Sequence, residues 1–149
     1  MPNTKKHAGD MLKLDNQLCF ALYSASLAMT RLYKPLLEAL GLTYPQYLAM
    51  LVLWEQDGLT VSELGDKLLL DSGTLTPLLK RLESTGLVNR LRDVHDERRV
   101  RIALTSAGRA LKSRAGEIPG CVLSASQCSL PELVALTKQV RDLRQKLVA

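Results

Sequence analysis

Three cysteines are the side chains of this 149-residue chain best suited to covalent chemistry: Cys19, Cys121 and Cys128. An odd count with no short pairing does not read as a disulfide framework. No CxxC occurs, and the two histidines, His7 and His95, stand far from the cysteines in sequence, so the ligand spacing of a zinc site is missing. Free thiols remain. Cys19 lies in the apolar run DNQLCFALY (15–23). A cysteine so placed is either a small core residue or a reactive sulfur, and local pattern alone leaves both readings open. No Ser/His/Asp arrangement, glycine-rich phosphate loop or cluster of carboxylates can be placed, so the chain does not read as an enzyme. No cofactor or metal is implied.

A second kind of chemistry comes from charge. The chain carries a net +5, and residues 80–114 alone carry +6. Lys80, Arg81, Arg90, Arg92, Arg98, Arg99, Arg101, Arg109, Lys112 and Arg114 stand there against Glu83, Asp93, Asp96 and Glu97. A cationic patch on a near-neutral body points to a polyanionic partner. Hydrophobic residues make up 46% and charged residues 23%, the balance of an ordinary globular domain. The longest apolar run, Leu48 to Trp54, is too short to span a bilayer, which needs about 20 residues. The segment MPNTKKHAGD has lysines without an apolar stretch and does not read as a signal peptide. A cytoplasmic protein with reduced thiols is expected.

These residues need elements to hold them. Leu14, Leu18, Ala21, Ala25, Ala28, Leu32, Leu36 and Leu40 recur at helical spacing, which predicts one long helix over 14–40, kinked or restarted at Pro35 and ended by Gly41. A second helix is expected over 46–56. Thr60 and Glu63 form a capping box for a short helix to about Leu70. After a tight turn at 71–74, Leu75, Leu78, Leu79 and Leu82 mark a helix ending near Gly86; with Thr74 as its N-cap, Pro77 falls in the first turn. Residues 87–104 change period to two and read as a β-hairpin with one apolar and one basic face. Thr105 or Ser106 opens another helix to about Ala115, with a break at Pro119-Gly120. Ser129 and Glu132 cap a last helix that runs to the C-terminus.

Helix, tight turn, helix, basic hairpin is the layout of a winged helix-turn-helix. The leucine stripe turns Thr76, Pro77, Lys80 and Arg81 outward, on a helix of a size that fits the major groove. Arg98 at the hairpin is placed for a narrow minor groove. Arg90, Arg92, Arg99 and Arg101 read as phosphate contacts. Ser72, Thr74 and Asp96 complete the candidate DNA-binding set.

The segments LDNQLCFALY (14–23), YKPLLEALGLTYPQY (33–47), LDSGTLTPLLKRLE (70–83), DERRVRIALT (96–105) and EIPG (117–120) carry a resemblance that covers the chain from about Leu14 to its end. The chain resembles the MarR family of winged-helix repressors, and within it the organic hydroperoxide-sensing (OhrR) type. The resemblance implies a mainly α fold with a small hairpin and a single MarR-like domain over 1–149. Residues 14–42 and 106–149 would supply dimerisation helices and 45–105 the winged helix-turn-helix. It implies a homodimer on a pseudo-palindromic double-stranded DNA operator, with an organic hydroperoxide as inducer. It implies that Cys19 is the oxidised thiol, hydrogen-bonded by Tyr33 and Tyr44. A two-cysteine subclass adds a resolving cysteine near position 124 of the partner; Cys121 is favoured, with Cys128 the alternative. Release by a small phenolic ligand and a thiol peroxidase-like activity are the competing readings.

One expectation is geometric. Tyr33 follows Cys19 by 14 residues, about 21 Å of rise on a continuous helix, whereas a hydrogen bond needs about 3 Å. If Tyr33 touches Cys19, it comes from the other subunit unless the helix bends sharply.

Overall fold

The computed structural model describes residues 9–149; His7 and most of the segment read for a leader lie outside the described residues. The chain divides into two compact units, residues 1–44 and 45–149.

In the first unit a short helical turn at 9–11 and a 3-10 turn, Leu14–Asn16, precede helix α1, Leu18–Glu38. The helix expected over 14–40 therefore starts later. Asn16 Nδ2 donates to the Asp10 carbonyl at 2.6 Å and Gln17 Nε2 to the Lys13 carbonyl at 2.9 Å. These side chains bind preceding backbone in place of a helical ladder, and Gln17 is extended. Pro35 neither kinks α1 enough to end it nor restarts it, and the helix runs through to Glu38. The proline removes only its own N–H from the ladder. Gly41, at φ +70°, closes the helix as expected: Leu42 N donates to Leu37 O and Gly41 N to Glu38 O, both at 3.0 Å. This pair of bonds is a Schellman cap, which needs the left-handed residue glycine supplies.

The second unit is built on α2 (Tyr44–Glu55, whose first residue belongs to the first unit), α3 (Val61–Leu68) and α4 (Ser72–Ser84). Strands β1 (Val88–Arg92) and β2 (Val100–Leu104) and helices α5 (Ser106–Ala115), α6 (Ile118–Ser126) and α7 (Leu130–Val148) follow. Met50, Leu53, Leu64, Leu75, Leu79, Leu82, Val88 and Ile102 form its fully buried core. The Thr60 hydroxyl accepts from Glu63 N at 3.1 Å, so the predicted cap of α3 forms. Gly65 lets the turn after α3 close, since a Cβ there would lie 2.8 Å from the Leu70 carbonyl.

The start of α4 differs from expectation. Asp71, not Thr74, is the N-cap, accepting from Thr74 N at 2.7 Å. A carboxylate is a stronger acceptor for orphan amides than a hydroxyl. The helix thus begins at Ser72, and Pro77 is its sixth residue rather than part of its first turn.

The hairpin is antiparallel with Val88 opposite Leu104, Arg90 opposite Ile102 and Arg92 opposite Val100. Its two faces are not divided into apolar and basic. Arg90 and Arg92 share a face with Val88, Ile102 and Leu104, while Leu91, 54% exposed, sits opposite Arg101 on the other. The free edge of β2 is met by residues 58–60, through Gly58 N to Ile102 O (3.1 Å) and Ile102 N to Leu59 O (2.8 Å).

Thr105 caps α5, and the chain breaks at 116–117 rather than at Pro119-Gly120, because a proline in the first turn of α6 costs no hydrogen bond. Ser129 caps α7 as expected, accepting from Glu132 N at 3.3 Å, while the Glu132 carboxylate accepts from the Ser129 hydroxyl at 3.0 Å. Helix α7 buries no residue and α1 buries only Leu37, although both carry leucines at helical spacing. Among the described residues no helix is long and apolar enough to cross a membrane.

Candidate functional site

Helix α4 presents Ser72, Thr74, Pro77, Lys80 and Arg81 as exposed residues because Leu75, Leu79 and Leu82 are locked inward. Thr76 is half-buried. It lies in a groove of about 440 Å³ whose walls also include Thr60, Ser62, Ser72, Arg90, Arg98 and Arg99. The groove thus joins part of α4 to the wing, while Thr74, Pro77, Lys80 and Arg81 stand on α4 outside it. The sequence reading did not place Thr60 and Ser62 on this groove; the capping box was visible, but its position beside the wing was not.

Not every arginine of the basic segment is free for a polyanion. Arg101 donates through Nε to Asp93 Oδ2 and through a terminal nitrogen to the Gly58 carbonyl, both at 2.8 Å. It braces the wing against residues 58–60, which corrects its reading as a phosphate contact. Asp93 is buried. The backbone N–H of His95 at 2.7 Å, with help from Arg101, holds its carboxyl below the ordinary aspartate value against the opposing cost of burial. Arg92 donates to the Glu97 carbonyl at 2.9 Å. Arg90 lines the groove, yet its Nε lies 3.3 Å from Glu83 Oε1. Arg98 is the projecting charge: its side chain is 91% exposed, and Asp96 Oδ1 accepts both its backbone N–H (3.1 Å) and its Nε (3.2 Å). Asp96 therefore aims Arg98 rather than offering an acceptor of its own.

The first unit holds the candidate sensor. Cys19 is the second residue of α1 and is exposed, where the apolar run suggested a buried position. Tyr33, four turns along the same unbroken helix, packs its ring on Tyr44 with centroids 5.0 Å apart and planes at 55°. The two phenols line a cavity of about 260 Å³ with Thr30, Lys34, Leu37, Glu38, Leu42 and Thr43. Within one chain Cys19 and Tyr33 are about 21 Å apart along the helix axis. Cys121 is exposed on α6, within a helix rather than a mobile break. Cys128 is half-buried between α6 and α7, its thiol donating to the Ser126 carbonyl at 3.5 Å.

The family described as transcriptional regulator SarA/Rot matches residues 31–115. The organic hydroperoxide resistance transcriptional regulator of Bacillus subtilis is 52% identical over 138 residues, 93% of this chain and 94% of that protein. The chain belongs to the MarR family, in its organic hydroperoxide regulator branch. Two solved structures of the MarR-family regulator AbfR, a protein of Staphylococcus epidermidis, match it closely. Reduced AbfR bound to DNA superposes with a TM-score of 0.79 at 34% identity, over 95% of this chain and 99% of that one. The disulfide-formed AbfR gives 0.65 at 35% identity, over 96% and 95%. The MarR-family fold is thus the winged helix-turn-helix read from the sequence, mainly helical with one hairpin.

Proposed function

We propose that this MarR-family protein is a homodimeric repressor that occupies a pseudo-palindromic DNA operator in the cytoplasm and leaves it when an organic hydroperoxide oxidises Cys19. The observation that carries the reading is the unbroken helix α1. It holds Cys19 and Tyr33 on one helix, about 21 Å apart along its axis, and Tyr44 packs on Tyr33 from the start of α2, so the thiol and the phenol pair are too far apart to meet within a chain. The exposed apolar residues of α1 and α7, among them Leu18, Phe20, Leu27, Leu136 and Val140, supply surface for a dimer in which the partner's Cys19 reaches the phenols. Leaving such residues in water is unfavourable by about 25 cal/mol per Å².

On this reading the Cys19 thiolate attacks the terminal oxygen of ROOH. The O–O bond breaks, an S–O bond forms, and the alkoxide takes a proton to leave as ROH. The sulfenic acid then meets Cys121 of the partner subunit: an S–S bond forms and water leaves. Cys121 is favoured over Cys128 because its thiol is exposed, whereas that of Cys128 is half-buried and engaged by Ser126. The peroxide is consumed once per sensor, so this is regulation and not turnover. The DNA contacts assigned are Ser72, Thr74, Thr76, Pro77, Lys80 and Arg81 from α4 and Arg90, Arg98 and Arg99 from the wing, with Asp96 as the support of Arg98.

Operator binding of the wild type and of Cys19→Ser, with and without cumene hydroperoxide at one stated salt concentration, tests the proposal. The wild type is expected to lose binding and Cys19→Ser to keep it. Release of Cys19→Ser by peroxide would overturn the sensor assignment. Mass spectrometry of the oxidised dimer is expected to find a Cys19–Cys121 link between subunits.

A further inference from the structure

We propose that Lys34 is the charge-supplying residue of the sensor pocket, its ammonium group stabilising the anionic sulfur of the partner's Cys19 before and during attack on the peroxide. The inference rests on the reading that this sulfur enters the Tyr33–Tyr44 pocket.

Among the described residues that line this cavity, Lys34 is the one cation and Glu38 the one anion. They stand four residues apart on α1, the spacing at which opposite charges meet on a helix. In α7 the same arrangement closes: Lys138 Nζ reaches Asp142 Oδ2 at 3.8 Å. Lys34 and Glu38 form no such ion pair, and both side chains remain on the wall of the cavity. The neighbouring groups cannot substitute for the ammonium. Thr30 donates its hydroxyl to the Ser26 carbonyl at 2.9 Å, and Leu37 and Leu42 are buried and apolar. Tyr33 and Tyr44 offer hydrogen bonds without charge.

The step itself needs a cation. Negative charge begins on the sulfur, moves onto the departing alkoxide as the O–O bond breaks, and disappears when that alkoxide is protonated. Two phenols in the pocket stabilise the charge locally. A positive group on the wall lowers the cost of bringing a thiolate out of water at all. Glu38 acts in the opposite sense, so the pair sets a balance between readiness to react and stability of the reduced thiol.

The test uses the full-length dimer in a Cys121→Ser, Cys128→Ser background, so that the thiol consumed is Cys19. Its oxidation by cumene hydroperoxide is followed by free-thiol titration from pH 6 to pH 9. Lys34→Met is expected to move the rate profile up by about half to one pH unit, an opposite-charge effect reduced by exposure. That is a slowing of about three- to tenfold at pH 6.5, vanishing near pH 9. Glu38→Gln is expected to move the profile the other way, Lys34→Arg to restore it, and added salt to shrink both shifts. A Lys34→Met profile that superposes on the parent, or that lies below it by one factor at every pH, overturns the proposal. Tyr33→Phe separates the two failures. If it slows oxidation while Lys34→Met does not, the lysine role alone is wrong. If neither variant changes the rate, the pocket does not receive the sulfur and the underlying reading fails with it.

Discussion

Gly108 is the residue whose replacement has the most sharply defined consequence. It is the third residue of α5, and its N–H is held by the Thr105 hydroxyl at 3.0 Å. A Cβ there would lie 2.2 Å from the Leu87 carbonyl oxygen and 3.2 Å from Leu104 Cδ2. Leu104 could yield by rotating, but the Leu87 carbonyl cannot, because it is backbone and accepts from Thr105 N at 3.0 Å. Relief requires α5 to retreat from the base of the wing by about 1 Å, which forfeits up to about half of the attraction at each van der Waals contact it opens. That movement strains the Thr105–Leu87 bond and the Trp54 Nε1 bond to the Gly108 carbonyl, now 2.8 Å. Overpacking costs about 1–3 kcal/mol and two weakened hydrogen bonds about 1 kcal/mol each. The better helix propensity of alanine returns about 1 kcal/mol. Gly108→Ala should therefore destabilise the protein by about 2–4 kcal/mol, lowering Tm by roughly 5–15 °C and the urea midpoint by about 1 M or more at fixed protomer concentration. Gly120→Ala in α6 is the control. A Cβ there meets nothing within 4 Å, so Tm should be unchanged or higher by a degree or two. If the two variants melt together, the close approach of α5 to Leu87 is not what holds the wing base.

Arg98→Ala is expected to weaken operator binding about ten- to hundredfold, whereas Lys80→Ala should weaken all DNA alike and reduce the salt slope by about one ion, both read by fluorescence anisotropy across a salt series. Glu83→Gln removes the carboxylate charge beside Arg90 and should steepen the same slope by about one; an unchanged slope would mean that Arg90 is not near a phosphate. Asp71 is held below the ordinary aspartate value of 3.8, chiefly by the Thr74 backbone N–H. Its stabilisation of α4 is therefore complete above that pH and lost as pH falls through the lower folded value. Circular dichroism between pH 2 and 5 should show a shallower acid loss of helix in Asp71→Asn, which keeps a capping side chain without the titration; parallel curves would remove Asp71 as the cause.

Much of this molecule could be read from its residues because the signals were local. Thr60 with Glu63 and Ser129 with Glu132 place helix starts through bonds three residues long, and Gly41 places an end through its left-handed backbone. The leucines of α4 name the inward face and so the outward one. What escaped the reading required knowledge of competing or distant partners. Thr74 and Asp71 are both good caps, and the carboxylate, the stronger acceptor, is the one that takes the Thr74 amide. The alternation of the hairpin was correct, yet its faces were assigned wrongly, since the register sets Arg90 opposite Ile102 and Arg92 opposite Val100, and Arg101 reaches 43 residues back to the Gly58 carbonyl. The same bond removes Arg101 from the DNA-facing set. The exposure of Cys19 was not legible, because an apolar run looks the same whether or not its own chain covers it.

The contact between Glu83 and Arg90 also bears on how the wing avoids unwanted company. Strand β1 pairs with β2 on one side, and a lone strand edge is a template for any extended chain that drifts past. In this protein the Arg90 backbone N–H that such a strand would capture is already taken by Glu83 Oε2 at 3.1 Å. A side chain from α4 thus blocks the edge at Arg90, and the arginine itself adds a charge that an incoming strand would have to desolvate. The wing can remain a two-stranded ribbon, narrow enough to follow a groove, without becoming a site of sheet growth.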